Sequence, residues 1–332
     1  LDRSSAASDV YKRQIHLFVN LFGKKYNVKK NLYLVNGFMK RFWIFSCILS
    51  IFIIPISSLL IRKSGFTLSK ISSSSPYDPQ WEFPISVQQL SEIEAMLSQK
   101  FTYLASGNHC YTFASEDGEY VIKFFKQKQI TPITWKDYLP IASREAIRKN
   151  RKELRDKMYG SYVIAATKLR QQTGTIYLHL TKSRQFSRKL LLVDQHDKQH
   201  YIDLNKAEFL IQKRAQIGYS YLDQMLAQTN IEKAAFAIDS LFSLVATRCN
   251  LGILDEDCQL WKNFGFREGR AVEVDIGEFR YDSSKTILLD AEVNRIAEQL
   301  SDWMNRYYPN YQFLITEAVH NVLTDYMMLP KK

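Results

Sequence analysis

Residues 42–61, "FWIFSCILSIFIIPISSLLI", run for 20 positions without a charge. A helix of that length and polarity matches the hydrocarbon core of a bilayer. Lys40 and Arg41 precede the run and Arg62 and Lys63 follow it, which places ammonium and guanidinium groups at both headgroup layers. Pro55 is no obstacle, because membrane helices tolerate a kink. The segment therefore predicts an N-terminal transmembrane helix, the lipid bilayer as a partner and a membrane-associated protein with a single span. Lys24, Lys25, Lys29, Lys30, Lys40 and Arg41 outnumber Arg62, Lys63 and Lys70 near the span, a bias that puts the N-terminus in the cytoplasm and the domain outside. Counted from Met39, the balance reverses to two against three, and either side of the membrane is open.

Met39-Lys40-Arg41 directly before the apolar run reads as an initiator with a positive n-region. Residues 1–38, opening on "LDRSSAASDVYKRQ", then read as a leader or translated adapter. Residues 39–63 read as an anchor or signal segment. No small-residue cleavage pattern follows the apolar run, which favours an anchor. Residues 64–80, Ser-rich with two prolines, have the composition of a tether. The folded domain is expected to begin near Trp81 and run to 332.

A formal charge of +11 over 332 residues invites a nucleic-acid partner. Its distribution excludes one. Residues 1–63 hold 11 Lys/Arg against 2 Asp/Glu, leaving 34 against 32 for the rest, so the excess belongs to the segment around the span. The many Tyr and Phe lie at strand and helix core spacings rather than forming a stacking platform. Cys47, Cys110, Cys249 and Cys258 have no regular spacing, so neither a disulfide framework nor a zinc site is encoded.

Beyond Trp81, periodicity predicts a helix over about 87–98 and strands "FTYLAS" and "YTFAS" around the turn "GNHC". A hairpin at "EDGE" then leads to the strand "YVIKFF", 120–125. A charged helix over about 141–171 carries Leu154, Met158, Tyr162, Ala165 and Leu169 at helical spacing. Strands follow at 175–181, 189–195 and 200–204, then helices at about 206–215, 218–228 and 231–249. The alternation Val272, Val274, Ile276 gives one more strand, and two amphipathic helices close the chain. Strands with one helix first and mostly helices later imply an α+β fold of two unequal lobes, about 100–204 and 205–332.

Four features fall in order along this scaffold. They are a strand–turn–strand with Gly107, Lys123 in "VIK" on the third strand, a polar loop with Asp255, Asp257 and Asn263, and Asp275-Ile276-Gly277. In that order, over about residues 100–280, the sequence resembles the protein-kinase-like superfamily. "YVIKFF" looks like the lysine strand, "DEDCQLWKN" like the catalytic loop and "VDIG" like D-F-G with Ile276 for Phe. The twelve residues from Asn263 to Asp275, with the turn "REGR" between them, are the strongest local match.

The resemblance implies a two-lobed protein-kinase-like fold and ATP with Mg²⁺ as cofactors. By it Lys123 pairs with phosphates, Asn263 and Asp275 ligate Mg²⁺, and Asp257 orients the acceptor hydroxyl, with Asp255 as second candidate. Gly107 belongs to the nucleotide loop, and Glu153, with Glu145 behind it, is the helix carboxylate offered to Lys123. Gly277 lets the chain turn away after Asp275. Departures are plain: the loop keeps one glycine, with Ala105 and Cys110 nearby, H-R-D is absent, and Asp257 to Asn263 is six residues. The implied function is ATP-dependent phosphotransfer to an unknown acceptor, the alternative a catalytically silent kinase-like module that binds a protein partner.

Overall fold

The computed structural model describes residues 65–130, 144–282 and 285–328. The run 42–61 lies outside them. Among the described residues no helix is long and apolar enough to cross a membrane.

The first half of the chain builds a seven-stranded sheet. Its strands are β1 (Phe101–Ser106), β2 (Cys110–Ser115), β3 (Tyr120–Phe125), β4 (Thr175–His179), β5 (Lys189–Val193), β6 (Gln199–Asp203) and β7 (Phe209–Lys213), in the spatial order β4-β7-β3-β2-β1-β5-β6. All pairings are antiparallel except β1 with β5. β3 is central and buried on both faces, which is why "YVIKFF" reads as an almost unbroken apolar run. On one face Phe113, Ile122, Phe124, Phe209 and Ile211 pack with Ile93 of helix α1 (Val87–Met96) and with Leu97 just after it. On the other, Cys110, Phe125, Leu178 and Leu210 pack with Met158, Tyr159 and Tyr162 of helix α2 (Arg144–Lys168) and with Leu169 just after it. Leu154 does not join that stripe and is 58% exposed.

Two sequence expectations are corrected here. Of the expected tether over 64–80, the described residues 65–80 are not free: Phe66 and Ile71 are buried, Phe66 meets Tyr111 and Phe113 edge-on, and Ser72 bridges to Ala207. Spaced among serines, these two apolar residues escape a compositional reading, yet they complete the sheet's outer core. The expected helix over 206–215 is instead strand β7. Its three consecutive apolar residues, Phe209, Leu210 and Ile211, face both sides of the sheet between β3 and β4, a run too short to show helical periodicity. The sheet lobe therefore extends to Lys213 rather than ending near 204.

The second half is mostly helical. Helix α3 (Gly218–Ala227) leads to α4 (Ile231–Asn250), whose Ala234, Ala237, Ile238, Leu241, Phe242 and Val245 are buried at helical spacing. Helices α5 (Lys285–Tyr307) and α6 (Phe313–Met328) pack against α4. Strand β8 (Gln216–Ile217) precedes α3, and between α4 and α5 lie the short strands that carry the site, β9 (Ile253–Asp255), β10 (Phe264–Arg267), β11 (Arg270–Glu273) and β12 (Phe279–Tyr281). β10 and β11 join through Glu268 and Gly269, both at positive φ, the two-residue hairpin turn that "REGR" predicts. β9 pairs with β12, so the loop after Asp255 lies beside the segment after Asp275.

Candidate functional site

The β10–β11 hairpin returns the chain to its start. The Asn263 carbonyl accepts the Val274 amide at 2.6 Å and the Asp275 amide at 3.4 Å. Twelve residues of sequence thus become one contact. Facing this point is a cleft of about 410 Å³ lined by the β1–β2 turn (Gly107, Asn108, His109), by Asp255–Asp257 and Trp261–Asn263, and by Asp275, Gly277 and Glu278.

Lys123 arrives from β3. Its Nζ donates to the Val274 carbonyl at 2.5 Å. Burial lowers its pKa, while the Asp275 carboxylate opposes that shift. Lys123, Asn263 and Asp275 are therefore drawn to one place by three separate elements.

The carboxylates around the cleft differ in what they are free to do. Glu256 accepts from Lys157 at 2.6 Å and meets Arg280 at 2.7 Å, which lowers its pKa. Glu278 lies 3.5 Å from Lys157. Asp257 is bonded to Lys262 at 2.7 Å and holds that ammonium above its usual pKa. Asp275 alone is exposed with a carboxylate that carries no hydrogen bond or ion pair among the described residues. Beside it, Asn263 donates its amide to the Asp257 carbonyl, and the buried Oδ1 of the same amide has no partner. Two hard oxygens without protein partners, on residues that share one backbone contact, fit a divalent cation that prefers oxygen ligands.

Asp255 has a different occupation. It is buried, accepts the Asp257 amide at 3.0 Å, and lies 4.0 Å from the fully buried Arg248. Burial raises its pKa against the pull of Arg248. It supports the loop from within while still lining the cleft.

Glu153 requires a correction. Its side chain is 64% exposed and 3.9 Å from Lys149, and it makes no ion pair with Lys123. Helix α2 turns Met158, Tyr159 and Tyr162 toward the sheet, so the position five residues before Met158 falls on the solvent face. Gly107 lines the cleft, and a Cβ built there meets no protein atom within 4 Å, so packing within the chain does not demand glycine. Gly277 is not at positive φ, and a Cβ there would meet the Tyr162 hydroxyl at an ordinary 3.6 Å. Glu153→Ala and Gly107→Ala are accordingly expected to change stability by no more than about 0.5 kcal/mol, and Glu153→Ala to leave ligand binding at the cleft unchanged. A melting shift of several degrees in either variant would contradict the placement.

Sequence reading passed over three residues. Lys262 and the 57% exposed Trp261 directly precede Asn263 and line the cleft. Ser161 of α2 donates to the Ile276 carbonyl at 2.5 Å and accepts from the Phe279 amide at 2.7 Å. The available signal for Ser161 was a hydroxyl at a core position, three residues after Met158 and four before Ala165.

No protein-family model and no curated protein matches the chain. Among solved structures it is similar to a co-crystal structure of WbdD with the kinase inhibitor LY294002, at TM-score 0.32 and 16% identity. That match covers 69% of this chain and 46% of that one. A structure of the bifunctional kinase-methyltransferase WbdD matches at TM-score 0.30 and 16% identity, over 67% of this chain and 43% of that one. A complex of Rv3197 with erythromycin from Mycobacterium tuberculosis matches at TM-score 0.30 and 11% identity, over 68% and 66%. The chain thus spans less than half of the WbdD structures, and likenesses at these scores carry no argument about activity. The architecture itself is mixed α+β, a seven-stranded sheet followed by a mostly helical part.

Proposed function

We propose that the sheet and helical lobes form a kinase-like domain that takes Mg²⁺·ATP in the cleft between them and transfers phosphate to an acceptor hydroxyl. The observation that carries this reading is the pair of oxygens without partners among the described residues, the buried Asn263 Oδ1 and the exposed Asp275 carboxylate, beside an amine, Lys123, whose charged form is disfavoured by burial. A bound Mg²⁺ would neutralise charge on the phosphate oxygens. Asn263 and Asp275 would hold it, and Lys123 would exchange the Val274 carbonyl for a phosphate oxygen. Asp257, with Lys262 against it, would orient the acceptor hydroxyl.

A silent binding module is the second reading. The solvent-facing Glu153, the single glycine of the β1–β2 turn and the missing H-R-D favour it, since each departs from the kinase order. Labelled phosphate separates the two: transfer from ATP that stops in Asp257→Ala marks an enzyme, and nucleotide binding without transfer marks the module.

The membrane reading is a proposal from sequence: residues 42–61 anchor the chain in a bilayer. An anchored chain is expected to stay with membranes through high-salt and carbonate washes, whereas a basic surface contact is screened away by salt. Recovery of the intact chain in the washes would end that proposal.

A further inference from the structure

Among the described residues Lys123 makes no ion pair with a carboxylate of α2, yet α2 is joined to the Asp275 segment by another route. Ser161 is 1% exposed. Its single hydroxyl donates to the Ile276 carbonyl and accepts from the Phe279 amide, closing the turn that follows Asp275. Ile276 and Phe279 themselves are buried against Met158, Tyr162 and Ala165 of α2. At the helix surface Lys157 reaches both Glu256 and Glu278, one on each strand flank of the cleft. Upstream, Val274 and Asp275 are held by the Asn263 carbonyl and Val274 by Lys123.

The backbone from Val274 to Phe279 is therefore fixed at both ends while the Asp275 carboxylate between them stays free. Neither the φ of Gly277 nor contact at its Cβ dictates this turn, and beside the β9–β12 pairing the Ser161 hydroxyl is the side-chain group that bridges it. We propose that Ser161 is a positioning residue: it couples helix α2 to the backbone that aims Asp275, so that divalent-cation affinity at the cleft depends on the Ser161 hydroxyl. The inference rests on the reading of Asn263 and Asp275 as cation ligands. It places the helix's control on the ligand segment rather than on the lysine.

The test is Mn²⁺ binding, read by electron paramagnetic resonance at fixed ATP, on the full 332-residue chain in detergent. Removing a hydrogen-bond partner that orients a metal ligand weakens affinity by about 10–100-fold, and that loss is expected for Ser161→Ala. Ser161→Thr, which keeps the hydroxyl, should restore most of it. Thr173→Ala removes an equally buried hydroxyl, one bonded to the Leu169 carbonyl at 2.8 Å away from the cleft, and should leave Mn²⁺ affinity unchanged. Should Ser161→Ala prove insoluble, Ser161→Cys, a weaker donor of similar size, should show a smaller loss in the same direction. Mn²⁺ binding that is lost in Asp275→Asn but equal in wild type and the Ser161 variants would overturn the positioning role and leave the cation site standing. No Mn²⁺ binding by the wild type would remove both.

Discussion

Arg248→Met is expected to destabilise the protein by about 3–5 kcal/mol, the range found when one partner of a buried ion pair is removed. The guanidinium is fully buried and 2.8 Å from Glu292, 3.6 Å from Glu273 and 4.0 Å from Asp255. Methionine fills much of the volume but leaves these acids facing one another. Arg295, which bonds Glu292 and the Asp255 carbonyl, cannot neutralise them alone. Chemical denaturation should show the loss, and a melting point lowered on the order of 10 °C should accompany it. A variant within 1 kcal/mol of wild type, by the scale of a solvated surface pair, would mean that water reaches the cluster.

The same cluster sets a pH dependence with a definite sign. Three acids, Asp255, Glu273 and Glu292, meet two guanidiniums, and burial raises the pKa of Glu273 well above its ordinary 4.5 despite Arg248. Its folded-state carboxyl therefore keeps a proton that the unfolded chain releases. The resulting stabilisation is complete below the ordinary carboxyl value and is lost as pH rises through the folded one. Glu273→Gln carries the neutral shape permanently, so the variant should fold and its stability should fall less toward alkaline pH than that of the wild type.

How far the sequence could be read follows from the range of each interaction. β1 to β3, the hairpin "REGR" and the approach of Asn263 to Asp275 are legible because turn chemistry and alternation act within a few residues. The partner of Lys123 was not, because it is a backbone carbonyl, Val274, 151 positions away, and any residue type supplies a carbonyl. Glu153 illustrates the reverse error. On a helix with many charges, spacing offers several carboxylates, and only packing against the sheet decides which face is inward. Ile71 was hidden for a third reason: a single apolar residue in a serine-rich segment has no period, and its burial depends on the groove beside β7 that other elements create.

Asp275→Asn is expected to abolish the magnesium-dependent stabilisation of the chain by ATP while leaving the melting point without ligand close to that of the wild type. The carboxylate is exposed and makes no hydrogen bond or ion pair among the described residues, so the fold has little to lose. A divalent cation has much to lose, because an amide supplies one neutral oxygen where a carboxylate supplies a charged pair. At a ligand concentration of 100 times Kd the wild type gains roughly 2.7 kcal/mol, enough to be read in a thermal scan with and without Mg²⁺·ATP. The full chain, not a truncation at Trp81, is the right material, since Phe66 and Ile71 belong to the core. An equal shift in both proteins would remove Asp275 from cation binding. No shift in the wild type would take nucleotide out of the cleft altogether. A shift present in the wild type and absent from the variant would leave the acceptor as the open chemistry, with Asp257 and Lys262 as the groups that face it.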